Sequence, residues 1–459
     1  MLGFPTQLAV LRCRLFPCEA KLEAANQRRR MHIVKSGLRF PWAGCASALL
    51  IAAALPAAGQ QTLTWDQVKD RFEAANPTLL ADQASVDEMK AEEVTADLRP
   101  NPQLTLSQDG TQIAPHDGVW QPLKGTYIVP TVSYLHEREH KRELRLESAQ
   151  QGTRIARSQH SDLERNLLFD LRSQFVQVLQ AKALVGLAAQ ELDYYDHIIQ
   201  ISQDRFHAGD LAQIDLDRVE LQRVQYESDL QTAEVSLRTA KIVLLQLLDQ
   251  QTPVDRFDIQ GPFDFSDQLA PLDTFRQIAL ASRPDLQAAL QTVQQAQTNH
   301  RLAVANGSAD PTFSGWYTWN SSNNNPNGIS TLGASVSVPL RIFDRNQGEK
   351  QRTAIDIQRS QDAAIAARAQ VFSDVDSAWV QVNSNLTLLR PYRRQYLAQA
   401  LHVRDTVTYS WQHGGASLMD FLNAQSDYRN VQMAYLQLVG AYLTAAGQLN
   451  LAVGREVIP

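Results

Sequence analysis

The stretch LGASVSVPLRIFDRNQG, Leu332–Gly348, decides the reading of this chain. Its first half alternates. Leu332, Ala334, Val336, Val338 and Leu340 share one face, and Gly333, Ser335, Ser337 and Pro339 the other, which is the period of a strand with one apolar and one small or polar side. Pro339 has no N–H to give a ladder, so the strand ends near it, and Asp344-Arg345-Asn346-Gln347-Gly348 reads as a turn. The helical pattern that follows, from about Gln347 to Tyr409, contains one proline, Pro391. Sixty helical residues would span about 90 Å, several times an ordinary globular helix. A strand handed directly to such a rod restricts the fold to few architectures.

The same succession occurs once before. Leu63-Thr64-Trp65-Asp66 through Asn76-Pro77-Thr78-Leu79 is echoed by Leu272–Phe275 through Arg283-Pro284-Asp285-Leu286, and Asn101-Pro102 by Asp310-Pro311. Gly209 and Gly414 stand 205 positions apart, as do Asp215 and Asp420. A first rod runs from about Arg138 to Phe206. The apolar spacing of Leu216, Val219, Tyr226, Leu230, Ala233, Leu237, Ala240 and Leu244 reappears in phase at Phe421, Ala424, Val431, Tyr435, Leu438, Tyr442, Ala445 and Leu449. A repeat of this length is a duplicated unit, not a short-period solenoid. His207-Ala208-Gly209-Asp210 and His413-Gly414-Gly415 reverse the rods. The expected organisation is an extension and signal peptide over 1–59, a first repeat over 60–260 and a second over 261–459, with Gln251–Pro271 as the linker.

Four strands are expected between the rods, at about 102–109, 125–135, 311–320 and 332–340. In the third, Trp316 interrupts an otherwise polar face; in the second, Pro130 interrupts the ladder. Lengths of about 9–11 residues suit tilted strands across a bilayer. Four strands cannot close a barrel around a useful lumen, and open edges are intolerable in lipid, so several copies must share one barrel. A soluble rod carrying solvent-facing hairpins is the alternative at this point.

The N-terminus and composition agree with export. Arg28, Arg29, Arg30, Lys35 and Arg39 precede the apolar run Ala43–Leu55, and Ala57 and Gly59 are the small residues before an expected cut at Gln60. Cys13, Cys18 and Cys45 all precede that cut, so no disulfide is expected in the mature chain; anchoring of a lipid at Cys45 is the alternative, although the apolar run continues past it. A net charge of −6 without a long basic block after residue 60 speaks against a nucleic-acid partner. Beyond the signal, no run of 18 apolar residues offers a transmembrane helix.

Assembled, these features resemble the TolC-like outer membrane efflux family over about Leu63 to Gly454. The signals are the duplication itself, Arg205-Phe206 with Gly209 and Asp215, Arg283-Pro284-Asp285-Leu286, Val338-Pro339-Leu340 leading into Phe343–Gly348, and Ser417–Gln425 with Tyr428. The Asp-Arg-Asn-Gln-Gly run is similar to the CzcC-like branch that serves heavy-metal exporters. The resemblance implies a mixed α/β membrane protein and a homotrimer. Each protomer would give four strands to a twelve-stranded outer-membrane β-barrel, continued by a long periplasmic α-helical coiled-coil tunnel. It implies a passive duct, neither enzyme nor cofactor protein, set in outer-membrane lipid and coupled through a periplasmic adaptor (membrane fusion) protein to an inner-membrane transporter of the resistance-nodulation-division type. A type I secretion duct or a multidrug efflux duct is the alternative within the same fold.

On that resemblance Asp420 belongs to an acidic ring at the periplasmic aperture, where three copies would raise one another's pKa. This chain has Asn423 where the family often has a second acid. Asp215 and Asp217 hold the corresponding place in the first repeat, with Arg218 available as a partner, and Trp411 stands where a tyrosine commonly latches the closed tip. Gly209, Gly414 and Gly415 form the tip turns that meet the adaptor. Pro339, Phe343, Asp344, Arg345, Asn346, Gln347 and Gly348 form the barrel-to-tunnel junction, with Arg341 and Arg345 at the membrane boundary. The plainer readings are a helix cap for Asp420 and turn packing for Trp411. His136-Glu137-Arg138-Glu139-His140 is a literal H-E-x-x-H, which on a helix could hold zinc and make an exported metalloprotease. Here it falls at an expected strand-to-helix boundary.

Overall fold

The computed structural model describes residues 61–319 and 329–458. The expected signal peptide, its cysteines and the Asn-rich segment 320–328 lie outside the described residues. The elements are β1 (Gln61–Leu63), α1 (Trp65–Ala75), α2 (Pro77–Asp97), β2 (Gln103–Asp109), β3 (Tyr127–Leu135), α3 (Lys141–Ala208), α4 (Gln213–Leu247), β4 (Phe257–Ile259), α5 (Leu272–Ser282), α6 (Pro284–Ala305), β5 (Thr312–Trp319), β6 (Ser330–Ser337), α7 (Gln347–Pro391), α8 (Leu397–Gln412) and α9 (Leu418–Val453). Among the described residues no helix is long and apolar enough to cross a membrane.

Local chemistry accounts for the boundaries. Asn76 caps α2, its Oδ1 accepting from the N–H groups of Thr78 and Leu79 at 2.9 and 3.1 Å, with Pro77 at the first helical position. In the second repeat Arg283 takes that place, and its guanidinium, not a cap, organises the corner. It donates to Asp285 at 3.0 and 2.6 Å, to Asp374 of α7 at 2.7 Å and to the Ala452 carbonyl at the end of α9 at 3.2 Å. Helix α3 has 68 residues, and such a helix measures about 100 Å. His140 before α3 and Asn346 before α7 both adopt the left-handed conformation, so the two junctions are built alike.

The rods pack through separate cores. In the first repeat Val68, Phe72, Leu171, Phe175, Val178, Leu244 and Leu248 enclose β1 and β4 residues Leu63, Phe257 and Ile259. In the second, Phe275 and Ala279 lie against Val371, Val375, Val382 and Leu386 of α7 and Val439, Tyr442 and Leu449 of α9. A third cluster fills the tip with Tyr195, Ile198, Val219, Tyr226, Trp411, Leu418 and Phe421.

Three expectations are corrected. The fourth strand is Ser330–Ser337, two residues earlier than expected at its start, and it closes before Pro339, which cannot extend a ladder. The supposed linker contains β4, which pairs in parallel with β1. The second rod is not one regular helix: Pro391 ends α7, and a π turn over Tyr392–Tyr396 leads into α8. Proline lacks an N–H and crowds the carbonyl one turn back, and widening the turn accommodates it. The segment between the repeats is fastened there. Arg390 donates to the Asp267 carbonyl at 3.0 Å, and Arg393 pairs with Asp264 and lies 3.8 Å over the Phe265 ring.

Candidate channel wall and periplasmic tip

Strands β2, β3, β5 and β6 form one antiparallel sheet in that order. Register decides its faces, because directly opposed residues point the same way. Leu104, Leu106, Ile128, Pro130, Val132, Tyr134, Phe313, Gly315, Tyr317, Trp319, Leu332, Ala334 and Val336 share one side. Gln103, Thr105, Ser107, Asp109, Thr131, Ser133, Thr312, Ser314, Thr318, Thr331, Gly333 and Ser335 share the other, mostly polar side with Tyr127, Val129, Leu135 and Trp316. The apolar side is solvent-exposed in the isolated chain at Leu104, Leu106, Phe313, Trp319, Leu332 and Val336. Trp316, which interrupts the polar side, lies flat over Gly333: a Cβ on that glycine would come within 2.3 Å of the indole. Among the described residues both edge strands, β2 and β6, have a neighbour on one side only.

The H-E-x-x-H stretch follows the C-terminal end of β3 and is not helical. Glu139 and His140 have φ of 58° and 55°, and α3 starts after them. The Glu137 carboxylate is engaged by the Arg145 guanidinium, the Arg138 N–H donates to Asp310 at 3.0 Å, and Lys141 pairs with Asp310 at 2.6 Å. The two histidines therefore lack the common helical face that the zinc reading requires, and the acids tie this junction to α3 and to the start of β5. Among the described residues no cluster of three or more metal-binding side chains occurs. At the other junction Asp344 accepts from the Asn346 N–H at 2.8 Å, and the Asn346 amide reaches the Ala303 carbonyl at 2.8 Å.

At the tip, Gly209 and Gly414 have φ of 85° and 78°, a region that an ordinary side chain disfavours, and each carries the reversal of its rod. The Gly415 N–H closes the second turn on the Ser410 carbonyl at 2.7 Å. Asp420 is exposed in the first turn of α9 and accepts from the Ser417 hydroxyl at 2.7 Å and N–H at 3.1 Å. These hydrogen bonds hold its carboxyl below the usual range within one chain. Asn423 is exposed on the same helix, and Asp427, seven positions from Asp420, continues that face at helical spacing. Asp215 stands 3.9 Å from Arg218, and Asp217 accepts from Gln213 at 2.7 Å. Trp411 is only 3 % exposed. It stacks on Phe421 at 4.5 Å, lies under the Arg205 guanidinium at 5.1 Å, and its carbonyl accepts from Arg205 at 3.1 Å. Its ring packs inside the tip cluster of the chain. Arg205, quoted in the sequence only as part of a motif, is the group that ties the two tip turns together.

Above the tip a cavity of about 240 Å³ lies among α3, α4 and α9, lined by Leu184, Leu187, Ala233 and Met433 and by Glu191, Asp229 and Arg429. Arg429 pairs with Asp229 at 2.6 Å across α9 and α4. Glu191 is 5 % exposed, and burial raises its pKa despite the nearby Arg404 and Arg429 charges.

Residues 275–455 match the family described as Outer membrane efflux protein. The cobalt-zinc-cadmium resistance protein CzcC of Cupriavidus metallidurans is 23 % identical over 293 residues, covering 62 % of this chain and 67 % of that protein. Among solved structures, a membrane protein from Pseudomonas aeruginosa superposes with a TM-score of 0.69 at 14 % identity, covering 85 % of this chain and 93 % of that one. CusC gives 0.66 at 18 %, covering 88 % and 96 %, and VceC of Vibrio cholerae 0.67 at 16 %, covering 86 % and 97 %. The chain thus has the fold of these outer-membrane channels and resembles the TolC-like outer membrane efflux family, whose model its residues 275–455 match. Within that family it resembles the CzcC-like heavy-metal branch.

Proposed function

We propose that the chain is the outer-membrane channel of a tripartite efflux system and passively conducts metal cations delivered from an inner-membrane pump of the resistance-nodulation-division type by a periplasmic adaptor. The observation that carries this is the four-stranded sheet, apolar and exposed on one face, polar on the other, and unpaired at both edges. Three copies joined edge to edge make a twelve-stranded barrel whose apolar face meets lipid and whose polar face lines the lumen. Two repeats, 60–260 and 261–459, supply the strands and the tunnel wall in pairs. Asp420, Asn423, Asp215 and Asp217 border the aperture, and Gly209, Gly414 and Gly415 shape the turns that meet the adaptor. Pro339 and Phe343–Gly348 turn the chain from barrel to tunnel.

The metal cargo is supported by the Asp-Arg-Asn-Gln-Gly run and by the likeness to the cobalt-zinc-cadmium resistance protein. Deletion is expected to sensitise the host to divalent metals, with the purified protein running as a heat-sensitive trimer in mild detergent. A soluble monomer would overturn the channel, whereas sensitivity confined to hydrophobic drugs would overturn only the cargo.

A further inference from the structure

The apolar alternation of β6 does not stop where the strand stops. Its ladder ends at Ser337, yet Val338, Leu340 and Ile342 continue the even-numbered apolar series begun at Leu332, and all three are exposed, Leu340 at 81 %. Phe343 follows at 91 % exposure. An eight-residue strand rises about 26 Å along its own axis and about 20 Å along the membrane normal at a tilt near 40°, short of the apolar band of about 25 Å that barrels present. The residues after the strand make up that difference.

The segment makes some of its own hydrogen bonds. The Ile342 N–H donates to the Leu340 carbonyl at 3.0 Å, the Gln347 amide to the Phe343 carbonyl at 3.1 Å, and the Arg345 N–H to Gln347 at 2.8 Å. Arg345 also reaches the Arg341 carbonyl at 3.2 Å. Part of the segment's polar backbone is thus paired internally, while its large apolar side chains are exposed. The other junction is of opposite character: His136–His140 carries charged groups tied to Arg145 and Asp310, with no exposed large apolar side chain.

We infer that Val338–Phe343 is a membrane-embedded foot, one per protomer, set in the periplasmic leaflet with Leu340, Ile342 and Phe343 among the acyl chains and Arg341 and Arg345 on phospholipid phosphates. The inference rests on the barrel reading, and continuity of the apolar face beyond β6 is what commits it to lipid. Basic side chains of this length keep their charge at the headgroups while their stems lie along apolar surface.

No cysteine follows Cys45, so single cysteines at Leu340, Ile342 and Phe343 can carry spin labels in the full trimer in phospholipid nanodiscs, with Val336 as the barrel reference and His140 as the other junction. The expected result is high accessibility to oxygen and low accessibility to a nickel chelate at 336, 340, 342 and 343, with the reverse at 140. High chelate accessibility at 340, 342 and 343 means a wet loop, and low accessibility to both reagents means cover by another copy. Either overturns the foot while leaving the barrel standing if 336 stays lipid-exposed. Loss of the oxygen preference at 336 itself overturns both.

Discussion

Replacing Arg283 with Met should unfasten the second repeat more severely than any exposed substitution. The side chain is 4 % exposed and joins the start of α6, through Asp285, to α7, through Asp374, and to the end of α9, through the Ala452 carbonyl. Methionine fills similar volume but takes the guanidinium from two carboxylates, 28 % and 32 % exposed, leaving Asp285 with Arg165 at 3.9 Å and Asp374 with Gln370 at 2.6 Å. Removing one member of a buried pair costs about 3–5 kcal/mol, and the partial exposure of both acids places this case near about 3 kcal/mol. The pH dependence identifies the cause. Burial works against ionisation of Asp285, but hydrogen bonding and charge from Arg283 outweigh it, so its folded-state pKa lies below its unfolded value. That contribution is present above the unfolded pKa and is lost as pH falls through the folded one. Chemical denaturation in detergent, followed by circular dichroism, should therefore show a gap between wild type and Arg283→Met that is full at neutral pH and narrows on acidification. Pairing each with Asp374→Asn should reveal coupling between the two sites. An unchanged midpoint at neutral pH, or a gap that widens in acid, would refute the reasoning.

Three further outcomes are expected. Glu191→Gln should stabilise the tunnel more at pH 8 than at pH 4: burial raises the Glu191 pKa, so the stability of its neutral form is full below the unfolded pKa and is lost as pH rises through the folded one, a loss that glutamine does not suffer; denaturation midpoints at the two pH values check this. Gly333→Val should push Trp316 off its glycine floor and alter single-channel conductance in planar bilayers, and Trp316→Ala in the same background should relieve the overlap. Asp420→Asn should lower cation preference, read as a shift in reversal potential under a salt gradient. Because Ser417 holds the carboxyl below its usual range, wild-type preference should persist into mildly acidic solution, and Ser417→Ala should move its loss to higher pH.

The sheet was legible in Leu332–Leu340 because a period of two with small residues on one side admits few other readings, and the in-phase heptads of α4 and α9 announced the duplication. Errors arose where distant residues decide. The end of β6 is masked because Val338 and Leu340 keep the alternation, although Pro339 withholds the N–H that a ladder needs. Pro391 was visible, but only the widened turn at Tyr392–Tyr396, braced by Arg390 and Arg393 on the segment between repeats, shows how the helix survives it. The packing of Trp411 is likewise hidden from its neighbours in sequence. Its burial depends on Phe421 and on Arg205, the latter 206 positions away, and no local pattern reports that contact. Asp427 could have been found by stepping seven residues from Asp420.

The two unpaired edges of the sheet have a genetic consequence. A strand that lacks its neighbour within the chain can be completed only by another chain, so a copy with a ruined edge is not a silent bystander. Proline substitutions within β6, which remove ladder donors while leaving β2 able to pair, would yield protomers that join an assembly and prevent its closure. Such alleles should be dominant over the wild type when co-expressed, whereas alleles that remove the chain altogether should be recessive.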